Sequence, residues 1–167
     1  MPSTNHSGYT LIELLVVISI ISILAVVGFV NFKNFATNQV TVKAQGEVQT
    51  LLRLAQSNAT SSTLCNNQPA TSWSVKFTDP TTIQLRCYPA DYLQRPFSLV
   101  NAQVAISGSG CSLSLPVTLN YSVGVGKLTV SPSNACSFVT FTISNTSNPS
   151  AASKTFTISK GGAIDVQ

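Results

Sequence analysis

Side chains able to do acid–base or metal chemistry are few in this 167-residue chain. It has one histidine, His6, and five carboxylates: Glu13, Glu47, Asp79, Asp91 and Asp165. General acid–base catalysis draws on histidine or on paired carboxylates. Asp91 and Asp165 are isolated in sequence, Asp79 precedes Pro80 in a turn-like position, and Glu47 falls on an amphipathic stretch. The many serines have no histidine base beyond residue 6. Cys65, Cys87, Cys111 and Cys136 lack Cys-x-x-Cys spacing, so they do not read as metal ligands; an even number reads as disulfides. The group under the strongest chemical demand is Glu13, the one charge between Tyr9 and Val30. A carboxylate in an apolar segment needs a cation beside it, or a proton. No catalytic residue, cofactor or metal is expected, and the chain does not read as an enzyme.

The composition explains the shortage. Charged residues make up 8% of the chain, against about 25% in an ordinary soluble domain. Hydrophobic residues make up 44%, too many for a disordered chain. The net charge of +4 comes from only nine Lys and Arg, which by itself does not imply nucleic acid.

Apolar residues concentrate at one end. Leu14 to Phe32 carry no charge and no proline, a run that meets the roughly 20 residues needed to cross a hydrocarbon core as a helix. A cleaved secretory signal would want basic residues ahead of the run and a small-residue site after it. Residues 1–8 have no Lys or Arg, and the run is followed by Asn31-Phe32-Lys33-Asn34-Phe35. Ala36, Val40, Ala44, Val48, Leu52, Ala55 and Ala59 then recur at helical steps, with Leu51 beside them. Lys43, Gln45, Glu47, Gln49, Arg53 and Gln56 are expected on the other face. The spacing predicts a helix from Tyr9 to about Ser61, either continuous or hinged near Asn31–Asn38.

From Ser72 the period changes to two. Strands are predicted at 73–77, 82–88, 103–106, 113–121, 127–131, 137–144, 154–159 and 163–166, separated by Pro, Gly, Asn and Ser. Four cysteines allow three connectivities; the sequential one, Cys65–Cys87 and Cys111–Cys136, staples two local regions and is favoured. Asn58-Ala59-Thr60 and Asn145-Thr146-Ser147 match the N-glycosylation acceptor. The expected architecture is α+β: a long N-terminal helix, its first half membrane-spanning, packed on a C-terminal antiparallel β-sandwich-like domain with disulfides.

The segment Gly8-Tyr9-Thr10-Leu11-Ile12-Glu13-Leu14-Leu15-Val16-Val17-Ile18 closely resembles the prepilin signature of type IV pilins and type II secretion pseudopilins. It departs from the usual pattern in having no basic residue before Gly8. The resemblance implies cleavage after Gly8 by a prepilin peptidase and N-methylation of Tyr9. It also implies a helix retained first as membrane anchor and then as filament core. The resemblance sets Glu13 against the N-terminal amine of a neighbouring subunit. The implied divisions are a leader over 1–8, a helix over 9–62 (9–32 transmembrane or filament core, 33–62 amphipathic) and a β domain over 63–167.

Leu51-Leu52-Arg53-Leu54-Ala55-Gln56-Ser57-Asn58-Ala59, Trp73–Phe77 followed by Ile83–Cys87, and Phe156–Val166 resemble segments of the minor pseudopilin GspH/FimT type. The implied partners are other copies and other pilin-like subunits, the peptidase, a platform membrane protein with its ATPase, and membrane lipid before assembly. The implied location is the cytoplasmic (inner) membrane, then an extracellular or periplasmic filament. A second reading is a tip or surface subunit for DNA uptake or adhesion. It would use Lys76, Arg86, Arg95, Lys127 and Lys154, with Trp73, Tyr88 and Tyr92 as stacking groups.

Overall fold

The computed structural model describes residues 10–89 and 91–166, with the backbone alone for residues 27–34. It contains one helix, α1 (Leu11–Thr60), and nine strands. The strands are β1 (Ser72–Phe77), β2 (Thr82–Tyr88), β3 (Tyr92–Ser98), β4 (Ala102–Gly108), β5 (Val117–Ser122), β6 (Leu128–Ser131), β7 (Phe138–Asn145), β8 (Lys154–Ser159) and β9 (Ile164–Val166). Two compact units divide at Ala36/Thr37.

In the first unit every described side chain from Leu11 to Val26 is exposed. In the second, all strand pairings are antiparallel and form two sheets. One has the order β3-β2-β1-β5-β6, the other β4-β7-β8-β9. The fold is α+β, a long N-terminal helix followed by antiparallel sheets with two disulfides.

The core follows from strand alternation. Trp73, Val75 and Phe77 of β1, Ile83, Leu85 and Cys87 of β2, and Val117, Leu119 and Tyr121 of β5 turn to one face and are buried. Val139, Phe141 and Ile143 of β7 and Phe156 and Ile158 of β8 do the same in the other sheet. Phe141 joins the sheets: its ring stacks on Phe156 at 4.8 Å and tilts against Phe77 at 5.4 Å. Ala44, Val48, Leu51, Leu52, Ala55 and Ala59 of α1 complete this cluster.

The predicted stripe needs two corrections. Ala36 is exposed, so burial begins at the half-buried Val40. Thr41 and Gln45, polar residues one position beside the stripe, are buried as well. The buried arc of α1 is therefore wider than the apolar stripe, and Gln45 falls where the helix meets strand β8. Gln45 meets the cost of burial by donating from Nε2 to the Thr155 carbonyl at 3.4 Å.

Strand β3 falls where the residue pattern predicts no strand. Its sequence, Tyr-Leu-Gln-Arg-Pro-Phe-Ser, has Pro96 inside it and does not alternate. Proline cannot donate to a ladder, which argues against a strand unless the strand lies at an edge. β3 is the edge of its sheet, and six of its seven residues are exposed. Residues 113–116, predicted to open a strand, precede β5 without joining it, and Pro116 stands at that boundary.

The ends of elements are held by specific contacts. The Ala59 carbonyl at the close of α1 accepts from Ser62 at 3.3 Å and from Gly124 of the β5–β6 turn at 3.0 Å. Asp79 organises the β1–β2 turn: its Oδ1 accepts from the Thr81 amide (2.9 Å), the Thr81 hydroxyl (2.8 Å) and the Thr82 amide (2.8 Å). Cys65 is bonded to Cys87, tying the segment after α1 to β2, and Cys111 to Cys136, tying the loop after β4 to the approach to β7.

Candidate functional site

Two regions carry the residues singled out from the sequence: the start of α1 and the outer face of the five-stranded sheet.

At the start of α1, Gly8, Tyr9 and His6 lie outside the described residues. Thr10 and Glu13 are described, and they form a reciprocal cap. The Glu13 amide donates to Thr10 Oγ1 at 3.3 Å, while the Thr10 amide and hydroxyl each reach Glu13 Oε2 at 3.5 Å. This is the capping-box arrangement, in which a threonine and a glutamate three residues later satisfy the first amides of a helix. A reading of the motif as a cleavage signal passes over Thr10, although the Thr-x-x-Glu spacing is visible. The carboxylate also sits at the helix end where the peptide dipoles favour negative charge.

Beyond Glu13 the helix is apolar on all sides. Among the described residues its two polar side chains before Val26 close hydrogen bonds onto their own helix, Ser19 to the Leu15 carbonyl at 2.7 Å and Ser22 to the Ile18 carbonyl at 2.8 Å. Their hydroxyls therefore demand nothing from the surroundings. Leu11, Ile12, Ile23, Leu24 and Val26 are each 66% exposed or more. An apolar stripe that a soluble helix would bury is here spread round the whole circumference, with nothing in its own unit covering it. Among the described residues no helix is long and apolar enough to cross a membrane.

The outer face of the second unit's five-stranded sheet is polar, and register aligns it in rows. Tyr88, Ser72 and Ser122 form one row across β2, β1 and β5. Arg86, Ser74, Asn120 and Thr129 form the next, and Gln84, Lys76, Thr118 and Ser131 the third. Arg86 is held at one end. Its Nε and one terminal nitrogen donate to the two Asp91 carboxylate oxygens at 2.8 and 2.9 Å, and the other terminal nitrogen to Gln84 at 2.9 Å. This pairing, with the Tyr88 hydroxyl beside it, holds the Asp91 carboxyl below the ordinary carboxylate range. Burial, then the Asp91 carboxylate, pushes the Tyr88 phenol up.

The basic residues named for nucleic acid are divided. Lys76 and Arg86 lie on this outer face and Lys127 stands opposite Ser122 at its margin, whereas Arg95 lies beside Glu47 and Phe97 at the helix and Lys154 is on the other sheet. Trp73 is no stacking platform: it is 3% exposed, and its indole N–H donates to the Thr63 carbonyl at 3.2 Å. Tyr92 is exposed and Tyr88 half-buried. Asp91 lies in the turn before β3 and Asp165 on β9 of the other sheet. Among the described residues no three His, Cys, Asp or Glu side chains are grouped to hold a metal ion. The acceptor amide of Asn145 is buried and donates to the Thr37 carbonyl at 3.3 Å, so it is not presented as an exposed glycosylation site would be.

No curated protein and no solved structure matches the chain. Residues 3–29 match the model described as the prokaryotic N-terminal methylation motif. The kinship shown is thus that of the N-terminus, and residues 3–29 carry the leader of the type IV pilin and pseudopilin type.

Proposed function

We propose that this chain is a structural subunit, a pilin or minor pseudopilin, of a type IV pilus or type II secretion-like filament. The observation that carries the reading is the methylation motif at residues 3–29 running into a helix exposed and apolar all round from Leu14 to Val26. A helix of that kind suits lipid before assembly and neighbouring helices after it. In this reading residues 9–32 anchor the precursor in the cytoplasmic membrane, and that span reaches past the described side chains. Prepilin peptidase removes residues 1–8, and Tyr9 becomes the methylated N-terminus. The subunit then joins others of its kind through a platform protein and its ATPase. Resemblance in the late helix, the first hairpin and the terminal strands favours the minor GspH/FimT type.

Glu13 is the assembly residue. Cleavage after Gly8 creates an amine four residues before it, and the amine of an adjacent subunit would neutralise the carboxylate in a low-dielectric bundle. That pair fixes one axial register. The capping contact with Thr10 accounts for Glu13 within one chain; the intermolecular pair accounts for keeping a full charge in an apolar run. The variant Glu13→Ala is expected to be cleaved after Gly8 at the wild-type level yet to enter filaments at least about tenfold less, a register term of about 1.4 kcal/mol. N-terminal sequencing and immunoblots of sheared filaments measure both. Wild-type incorporation of Glu13→Ala would overturn the role of Glu13, and an N-terminus other than Tyr9 would overturn the processing.

A further inference from the structure

We infer that the groove between α1 and edge strand β3 receives strand β9 of a second copy of this chain, a head-to-tail contact that does not depend on the filament role. The groove is about 350 Å³, within the range of about 300–1,000 Å³ for binding clefts. Lys43, Gly46, Glu47 and Thr50 form its α1 wall, and Arg95 and Phe97 its β3 wall. Leu51, almost fully buried, lies at its floor. Gly46 is the unusual member of this set. Glycine is the poorest helix former after proline. The φ of Gly46 is not in the left-handed region, and a Cβ there would meet no atom within 4 Å. Nothing among the described residues therefore requires glycine at position 46. Its missing side chain widens the groove and lets a backbone from outside the chain come close.

Charge complementarity names the occupant. The groove carries Lys43 and Arg95 against Glu47 alone, a surplus of one positive charge. Arg95 is exposed, and its guanidinium makes no hydrogen bond or ion pair with the other described residues. Of the chain's five carboxylates, four are engaged. Glu13 caps α1, Glu47 pairs with Lys43 at 3.9 Å, Asp79 holds its turn and Asp91 holds Arg86. The Asp165 carboxylate is exposed and has no such partner among the described residues. It lies on β9, the edge of the four-stranded sheet, next to Val166, which is 55% exposed. Successive residues of a strand point to opposite faces. Entering the groove edge-on, β9 presents the carboxylate to the β3 wall, where Arg95 stands. It presents the valine to the α1 wall, where Gly46 leaves room above Leu51. The two contacting surfaces lie on opposite flanks of α1. Gln45 donates to Thr155 of β8, and Gln56 lies against Gly162 of the β8–β9 turn. At about 3.6 residues per turn, both lie on the far side of the helix from Lys43, Glu47 and Thr50. A contact between unlike surfaces is heterologous, so copies joined this way extend as an open chain and do not stop at a dimer.

The native cysteines are all disulfide-bonded, so introduced cysteines supply the only free thiols. Full-length protein carrying Thr50→Cys and Val166→Cys is treated in detergent with a short bismaleimide and resolved on denaturing gels. A ladder of dimers, trimers and larger species is expected. It should be at least tenfold stronger than that from Thr50→Cys with Val125→Cys, whose valine is 82% exposed but lies outside the contact. Adding Arg95→Glu is expected to weaken the ladder at least fivefold, and adding Asp165→Arg to that chain to restore it. Gly46→Leu is expected to weaken it at least tenfold without lowering the melting temperature. Melting temperatures confirm that each variant is folded; Arg95→Gln serves if Arg95→Glu is not. A ladder no stronger than the Val125 control overturns the inference, as does one indifferent to Arg95→Glu or to Gly46→Leu. Dimers without larger species overturn it too, because they mark a contact that closes on itself.

Discussion

Tyr121 holds an unpartnered buried polar atom in the β domain. Its side chain is fully buried on β5, and its hydroxyl finds no partner among the described residues. Burial alone pushes the phenol far above its ordinary range. A buried hydroxyl without a partner costs about 1–3 kcal/mol, and its removal relieves that cost with the ring packing kept. Tyr121→Phe is therefore expected to raise unfolding stability by about 1 kcal/mol in urea titrations; a loss of stability would show that the hydroxyl is satisfied in solution.

Asp79 is the opposite case. Three hydrogen bonds, led by those from Thr81, lower its carboxyl from 3.8 to about 2. A depressed carboxylate adds stability at pH values above its unfolded value and loses it as pH falls through the folded one. The melting-temperature gap between wild type and Asp79→Ala should thus be constant above about pH 5 and close as pH falls from about 4 to 2. A gap independent of pH would contradict the hydrogen-bonded turn.

At the scale of elements, the end of β4 illustrates how a covalent bond dictates a residue type. Gly108 pairs with Val139 and bridges to Cys111, and the Cys111–Cys136 sulfurs lie where its side chain would be. A Cβ at position 108 would collide with Cys111 Sγ and come within 2.8 Å of Cys136 Sγ. The φ of Gly108 is not in the left-handed region, so the requirement is space and not backbone freedom. A bridge closing a loop of this size contributes on the order of 3 kcal/mol. Gly108→Ala is expected to cost about that much in chemical denaturation, and less than about 1 kcal/mol once both Cys111 and Cys136 are alanine. Equal costs in the two backgrounds would mean that the bridge is not what excludes the side chain. The contrast with β3 is instructive: an edge strand admits Pro96 because its amide side needs no partner, whereas the close of β4 admits nothing larger than hydrogen.

At the scale of the molecule, the two units solve the burial problem differently. Residues 37–167 bury their own apolar side chains between two sheets and a helix, with polar residues turned outward along the strands. The first unit leaves its described apolar side chains from Leu11 to Val26 exposed, with nothing in that unit covering them. Elements whose signal is periodic or local are legible in the residues alone. The apolar run, the change from helical to twofold period and most strands follow from spacing that neighbouring residues impose. The methylation motif, likewise, is a contiguous string. What depends on residues far apart emerges with the folded chain. Folding made β3 an edge strand, drew Gln45 into the core, buried Trp73 and aligned Asn120 with Ser74 across a ladder. The reason is that burial and register are set by which surfaces meet, and spacing along one segment carries no record of the segment that will lie against it.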